Sequence, residues 1–372
     1  MKFSCEKAIL QSAVMTAGRV VAAKSSIQAL EGILIEAEGG SLRLSGYNLE
    51  TGIVTQVPAE ILEEGAIVLS ARLFGDILRS FPDDVVSITT ENCSVHVQCG
   101  APFFDIMGSS DEDYPELPSV SDGVSLSITQ SDLRSMIGQT IFAVSDNESR
   151  PIHTGALFEA DGKELTMVAV DGYRLALRRE ALLGQDGSGS LSFVVPGAAL
   201  SEVEKICADS DAPVTITQGD RHVTFEIGGT YLVARRLEGE FLNYRQTIPQ
   251  NNAIVLEADC ADLKRSIDRA SLIINDKLKS PLRCKFGDGS LSISSKTAIG
   301  SAFDRCPISG DGKELEIGFN NRFLMDAVKA APASRVRLEL NTSTSPCLLL
   351  PLKEEKDNFL YMVLPVRLRA AE

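Results

Sequence analysis

His96, His153 and His222 are the side chains best suited to acid–base or metal chemistry, and their setting argues against both. Each stands in a strand-like or loop context, with no partner at a metal-ligand or triad spacing. Eight cysteines, at 5, 93, 99, 207, 260, 284, 306 and 347, are scattered and form no C-x-x-C pair. They read as reduced, mostly buried thiols of a cytoplasmic protein, not as a zinc site or disulfide frame. The acidic runs Asp83-Asp84 and Asp111-Glu112-Asp113 fall on turns and read as solvated loops. No phosphate-cradling GxxxxGK[ST] and no GxSxG nucleophile motif occurs. No catalytic residue, metal or cofactor is expected.

Basic residues are the next candidates, for phosphate contact. The net charge is −15, and an acidic surface repels nucleic acid unless basic groups are gathered apart from it. The stretches that read as helices meet that condition weakly. Residues 6–19, 71–81, 131–143, 197–207, 260–272 and 321–331 together carry +3, so the remainder carries −18. A mild positive lining would hold a duplex loosely without stopping it from sliding. A plain solvated helix face would carry similar charge.

The elements that position these residues come in three copies. The segments 32–44, 155–167 and 281–293 share an apolar start, a Gly-rich turn and an alternating strand, the pattern of a hairpin. Downstream, Ser70, Pro196 and Asn320 each precede a helical stretch, at spacings of 126 and 124 residues. Ser and Asn suit an N-cap, and Pro suits a helix start. Each unit opens with another helix: Ile9, Ala13, Ala17 and Val20 mark its apolar stripe in the first, and Leu263, Ile267, Ala270 and Ile274 in the third. The Ser131 to Ala143 segment is the middle copy. Each unit therefore reads strand, helix, three strands, helix, three strands. Boundaries fall after Asp113-Tyr114-Pro115-Glu116-Leu117-Pro118 and Asn243-Tyr244-Arg245-Gln246-Thr247-Ile248-Pro249, short extended linkers. The expected domains are 1–121, 122–249 and 250–372. At 372 residues, two or three cores are natural. The chain has no apolar run long enough to span a membrane and no signal-peptide stretch at its start.

Four motifs make the chain resemble a known family over essentially its full length. They are Ala169-Val170-Asp171-Gly172-Tyr173-Arg174-Leu175-Ala176, Leu237-Glu238-Gly239-Glu240-Phe241 through Tyr244-Arg245, Glu316-Ile317-Gly318-Phe319-Asn320, and the ending Tyr361-Met362-Val363-Leu364-Pro365-Val366-Arg367-Leu368. The set resembles the bacterial DNA sliding clamp, the beta subunit of the replicative DNA polymerase III holoenzyme. That resemblance implies an α+β fold of three similar domains, closing as a head-to-tail homodimeric ring with helices inside. It implies a non-catalytic processivity factor on double-stranded DNA. It places Phe104, Ile106, Leu272 and Ile273 at the dimer interface, and Lys24, Arg72, Arg79, Asn147, Arg150, Pro151 and Ile152 against DNA. It further implies a cleft between domains 2 and 3 for short peptide motifs of the polymerase catalytic subunit, the clamp loader, translesion polymerases and mismatch-repair proteins. The matching positions are His153, Val170, Gly172, Tyr173, Arg174, Leu175, Leu242, Leu278, Asn320, Phe323, Thr344, Pro346 and Met362, Val363, Leu364, Pro365, Val366, Arg367, Leu368. Apolar side chains would receive Leu or Phe anchors while Arg174 and Asn320 orient the peptide. His153 stands where the family commonly has an aliphatic residue, Leu242 where proline is frequent, and Arg369 to Glu372 extend beyond the usual end. An enzyme and an acidic protein-binding scaffold are the competing readings.

Overall fold

The computed structural model describes residues 1–186, 189–274 and 280–368. Its helices are α1 (Lys7–Ala17), α2 (Ala71–Ser80), α3 (Gln130–Gly138), α4 (Gly197–Ile206), the single turn α5 (Tyr244–Thr247), α6 (Cys260–Ser271) and α7 (Asn321–Ala330). Short polar side chains start several of them. Ser70 Oγ accepts from the Leu73 amide at 3.4 Å, Asp259 from Asp262 at 3.0 Å, and Asn320 from Arg322 at 2.9 Å. These bonds satisfy backbone donors that a helix start leaves unpaired. The middle copy of the opening helix is shorter than its sequence predicts. After α3 ends at Gly138, the Thr140 hydroxyl bonds back to the Met136 carbonyl at 2.7 Å, and Ile141–Ala143 form a 3-10 turn.

The repeat is borne out in the bridges that close each copy. Val68 pairs with Ser109, Val194 with Leu237 and Gly318 with Val366, so the anchoring positions recur 126 and 124 residues apart. The strand count differs from expectation. In the first copy five strands, not three, separate the two helices: Gly32–Glu38, Ser41–Tyr47, Thr51–Pro58, Glu60–Glu63 and Gly65–Ser70. Thr51–Pro58 is one addition, and the other arises because the same extended segment changes ladder at Ala59. Thr51–Pro58 pairs with Ser41–Tyr47, whereas Glu60–Glu63 pairs with Lys2–Glu6. Arg174–Ala181 and Gly184–Gln185 repeat this change in the middle copy. In the third copy, Leu282–Thr297 and Gly300–Phe319 run through without a break and absorb the bend in register shifts around Asp288.

By Cα packing the chain divides into two compact units, one formed by residues 1–134, 182–188 and 198–236 and the other by 135–181, 189–197 and 237–372. The middle third of the sequence thus contributes to both. In the first unit, Thr230–Arg235 lies antiparallel to Thr51–Pro58 with Leu232 opposite Ile53, making a nine-stranded sheet. A five-stranded sheet beside it ends at the edge strand Phe103–Met107. Leu10, Ala13, Val14 and Ala17 of α1 and Phe74, Ile77 and Leu78 of α2 are buried against Ile33, Ile35, Leu42, Leu44, Val86 and Val97. In the second unit, Phe359–Val363 lies antiparallel to Arg174–Ala181 with Ala176 opposite Tyr361, making a ten-stranded sheet. Sequence-distant strands meet at the same place in the first and second copies.

The linkers are tied down by their tyrosines. Tyr114 donates to the Ser45 carbonyl at 3.0 Å, and Tyr244 to Glu159 Oε2 at 2.6 Å. The second linker is not fully extended as expected, because α5 forms where the Thr247 hydroxyl bonds the Tyr244 carbonyl at 2.7 Å. All eight cysteines are unpaired thiols, six of them buried. Burial pushes Cys207 and Cys347 up to about 12. No helix among the described residues is long and apolar enough to cross a membrane.

Candidate peptide cleft and basic surface

The cleft residues are set by one turn, one helix start and the chain's tail. Asp171 Oδ1 accepts from the Tyr173 amide at 2.8 Å and the Arg174 amide at 3.0 Å, and Gly172 takes φ +91°. This tight turn leaves the Tyr173 ring 63% exposed, stacked on Phe323 at 5.9 Å. Asn320 caps α7 and so fixes Phe323. The tail is held by backbone bonds from Leu364 to the Tyr173 carbonyl at 2.9 Å and from Val366 to the Gly318 carbonyl at 2.7 Å. Gly318 is required there: a Cβ at this position would lie 2.5 Å from the Val366 carbonyl oxygen.

Tyr173, Asn320, Phe323, Leu364, Pro365 and Val366 line one cavity of about 620 Å³. Ser280, Pro281, Asn321 and Arg322, not expected at the site from sequence, complete the wall together with Ile274, which lies past the end of α6 and not on its apolar stripe as expected. Beside it, Val170, Leu175 and Met362 are buried with Leu157, Leu177, Tyr244 and Leu348 in one apolar cluster that Leu364 packs against. Val363 is fully buried in the terminal strand. The remaining candidates among the described residues do not line the cavity. His153 sits on the 3-10 turn Pro151–Thr154 with its ring edge-on to Phe241 at 5.4 Å. Leu242 is exposed, Thr344 is exposed on the turn before Cys347–Leu350, and Pro346 is half-buried there. Arg367 is exposed and Leu368 packs near Gly318. Leu278 lies outside the described residues.

Arg174 is more committed than its expected peptide-orienting role implies. Its Nε donates to Asp171 at 2.9 Å and its Nη1 to Asp326 at 2.5 Å, and only 11% of its side chain is exposed. The guanidinium lies 4.5 Å from the Phe323 ring centre and 5.4 Å from that of Phe142. It thereby joins the turn carrying Tyr173 to the helix carrying Phe323. Asp326 and Phe142 were missed from sequence, although Asp326 shares its helix position with Asp76 and Glu202. Burial, and then the nearby Arg150 charge, hold His153 below the ordinary histidine value.

The basic candidates divide. Lys24, Arg72, Arg79, Asn147 and Arg150 are exposed. Arg79 pairs with Asp76 on its own helix, which leaves less charge for an outside phosphate. Asn147 shapes its loop, accepting from the Ser149 amide at 3.0 Å. Pro151 begins the 3-10 turn, and Ile152 packs into the apolar cluster, where it anchors the loop. Arg72 and Arg79 share a groove of about 640 Å³ with Arg19, Met15 and Met107.

The seam candidates are strongly apolar. Phe104 and Ile106 lie on the edge strand, Phe104 39% exposed, and Leu272, just past α6, is 78% exposed. Ile273 is half-buried. One histidine contact escaped the sequence reading: His96 and Asp105 are directly opposite on paired strands and meet at 2.7 Å. Asp83, in one of the acidic runs, pairs with Lys7 at 2.8 Å, which holds its carboxyl below the usual range.

A triplicated α+β chain with continuous sheets and an apolar cleft at the tail defines a class, and comparisons give the family. The models for the N-terminal, central and C-terminal domains of the DNA polymerase III beta subunit match residues 1–118, 127–243 and 245–367. A beta sliding clamp of Staphylococcus epidermidis is 31% identical over 360 residues, 94% of each chain. The solved structure of a putative DNA polymerase III beta subunit from Eubacterium rectale superposes with a TM-score of 0.92 at 32% identity, over 98% of this chain and 99% of that one. The Bacillus subtilis sliding clamp gives a TM-score of 0.92 at 28% identity, over 99% and 100%. This chain belongs to the DNA polymerase III beta subunit family, the bacterial sliding clamps. Its role is that of a non-catalytic processivity factor in DNA replication.

Proposed function

We propose that two copies of this chain close head-to-tail around duplex DNA and present the Tyr173–Phe323 cavity to peptide motifs of replication and repair proteins. The domains would divide at 121/122 and 249/250, and the protein would act in the cytoplasm. The observation that carries the ring is the repeated ladder. Ile53 faces Leu232 and Ala176 faces Tyr361, and the same position in the third copy, Ala302, has no such partner strand among the described residues. The first copy's counterpart of Leu232 and Tyr361 is Phe104, five residues before the bridging Ser109. Pairing Gly300–Phe319 with Phe103–Met107 of a second copy would set Ala302 opposite Phe104 and extend the sheet across the seam. Phe142 packs edge-on against Tyr361 at 5.6 Å, and carrying that contact to the seam brings Leu272 to the second copy's Phe104. Such a heterologous interface closes as a ring when its rotation closes.

On this reading Lys24, Arg72, Arg79, Asn147 and Arg150 meet phosphates without reading sequence, and Pro151 and Ile152 hold the loop in place. The apolar cluster takes a Leu or Phe anchor, while backbone and Asn320 groups orient the peptide. Two measurements test the proposal. Sedimentation should give a mass of two chains at micromolar concentration, and a fluorescent peptide ending in Leu-Phe should bind and be lost on Phe323→Ala. A stable monomer refutes the ring; binding unaffected by Phe323→Ala refutes the cleft.

A further inference from the structure

The repeat also places one carboxylate at the same point on the second helix of every domain. Phe74, Leu200 and Leu324 are buried at matching positions, as are Ile77, Val203 and Ala327, so Asp76, Glu202 and Asp326 correspond. Two of the three take a cation from the preceding domain. Arg19 Nη1 reaches Glu202 Oε2 at 3.6 Å, and that oxygen has no hydrogen-bond donor of its own. Arg174 Nη1 reaches Asp326 Oδ2 at 2.5 Å. Among the described residues Asp76 pairs only with Arg79 of its own helix. An own-helix partner does not preclude a second cation, because Glu202 holds Lys205 at 2.7 Å as well as Arg19.

The preceding domain for Asp76 would be the third domain of a second copy, so the residues at the cation-bearing positions there decide the matter. The first helices align through the buried sets Leu10, Ala13, Val14, Ala17; Leu133, Met136, Ile137, Thr140; and Leu263, Ser266, Ile267, Ala270. Arg19 therefore corresponds to Phe142 and to Leu272. The hairpin pairs Tyr47 with Gly52, Val170 with Leu175 and Lys296 with Ser301 align Arg174 with Thr51 and Gly300. At both positions the third domain offers no charge. Leu272 is 78% exposed, and Leu73, which corresponds to Phe323, is 47% exposed.

Resting on the ring reading, we propose that the seam between copies is the domain junction built without this repeated ion pair. It closes instead on Leu272 packed against Leu73 and Phe104 of the second copy, and Asp76 stays with its own Arg79. Contact between apolar groups is not screened by salt, whereas an exposed ion pair is. Each junction within a chain thus carries this pair, and on this inference the junction that must open to admit DNA does not.

The missing pair can be installed as a test. Leu272 is exposed in the protomer, so Leu272→Arg leaves the chain folded and puts a guanidinium at the position of Arg19. Dimer dissociation constants would be measured by sedimentation for the native chain, Asp76→Asn, Leu272→Arg and the double variant, at about 50 and 500 mM salt. Asp76→Asn alone should leave the native constant within about twofold at both salts, as expected of a side chain that contributes nothing across the seam. At low salt Leu272→Arg should bind about fivefold tighter with Asp76 intact than in the double variant, and that gap should close at high salt. A native dimer weakened about fivefold or more by Asp76→Asn overturns the inference, because Asp76 would then already be paired across the seam. So does Leu272→Arg responding neither to salt nor to Asp76. A native chain that stays monomeric removes the ring reading itself, and this inference with it.

Discussion

Replacing Arg174 by alanine should loosen the cleft wall and weaken peptide binding together. The guanidinium joins Asp171, 12% exposed, to Asp326, 38% exposed, and stacks on Phe323. Removing one partner of a buried ion pair costs about 3–5 kcal/mol. Here the cost is smaller, because Asp171 keeps two backbone donors and Asp326 is partly solvated. The lost cation–π contact adds about 0.5–1 kcal/mol. We expect a net loss of about 2–4 kcal/mol in local stability, carried by α7 and the Asp171 to Tyr173 turn. Hydrogen exchange of α7 amides measures it, since a chain of several domains has no single unfolding free energy. Arg174→Lys should recover only part, because an ammonium cannot make the forked contact. Unchanged α7 protection and unchanged peptide affinity in Arg174→Ala would refute the argument.

Three further outcomes follow from the same geometry. Ile273→Asp should yield monomers by sedimentation, because it would bury an unpaired charge in the seam; a dimer as tight as the native one contradicts that assignment. Gly318→Ala should release the tail beyond Leu364 and cut peptide affinity, seen as faster exchange of the Val366 amide, whereas an unshifted tail would show that the close approach is not limiting. His153 should make the stability of its loop fall as pH drops, read by hydrogen exchange around the Pro151–Thr154 turn. Its native value lies below the ordinary one, so the unfolded chain takes up the proton first, and native stability is lost between the ordinary value and the depressed one. His153→Leu should flatten the pH profile; a native profile already flat contradicts it.

Much of this was legible in the sequence because it is local or periodic. Ser70 and Asn320 announce their helices, and the spacings of 126 and 124 residues mark positions that the bridges at Val68, Val194 and Gly318 later join. What escaped depends on pairing across sequence distance. His96 meets Asp105 only because a hairpin sets them opposite, and Arg174 meets Asp326 across 152 positions. One of the two extra strands was hidden because a segment that changes ladder at Ala59 keeps an uninterrupted extended pattern. The cleft motif pointed to Tyr173, Phe323 and the tail. It gave no sign that Thr344, Pro346 and His153 lie off the cavity wall, since turn positions carry no periodic signal.

The central claim is that grip comes from enclosure and not from tight contact with phosphates. Loading the protein on a nicked circular duplex, and then cutting the circle once, tests it directly. The account predicts retention on the circle through a wash at raised salt and rapid loss after linearisation. Equal retention on circle and line, or loss from both at the same salt, would contradict it.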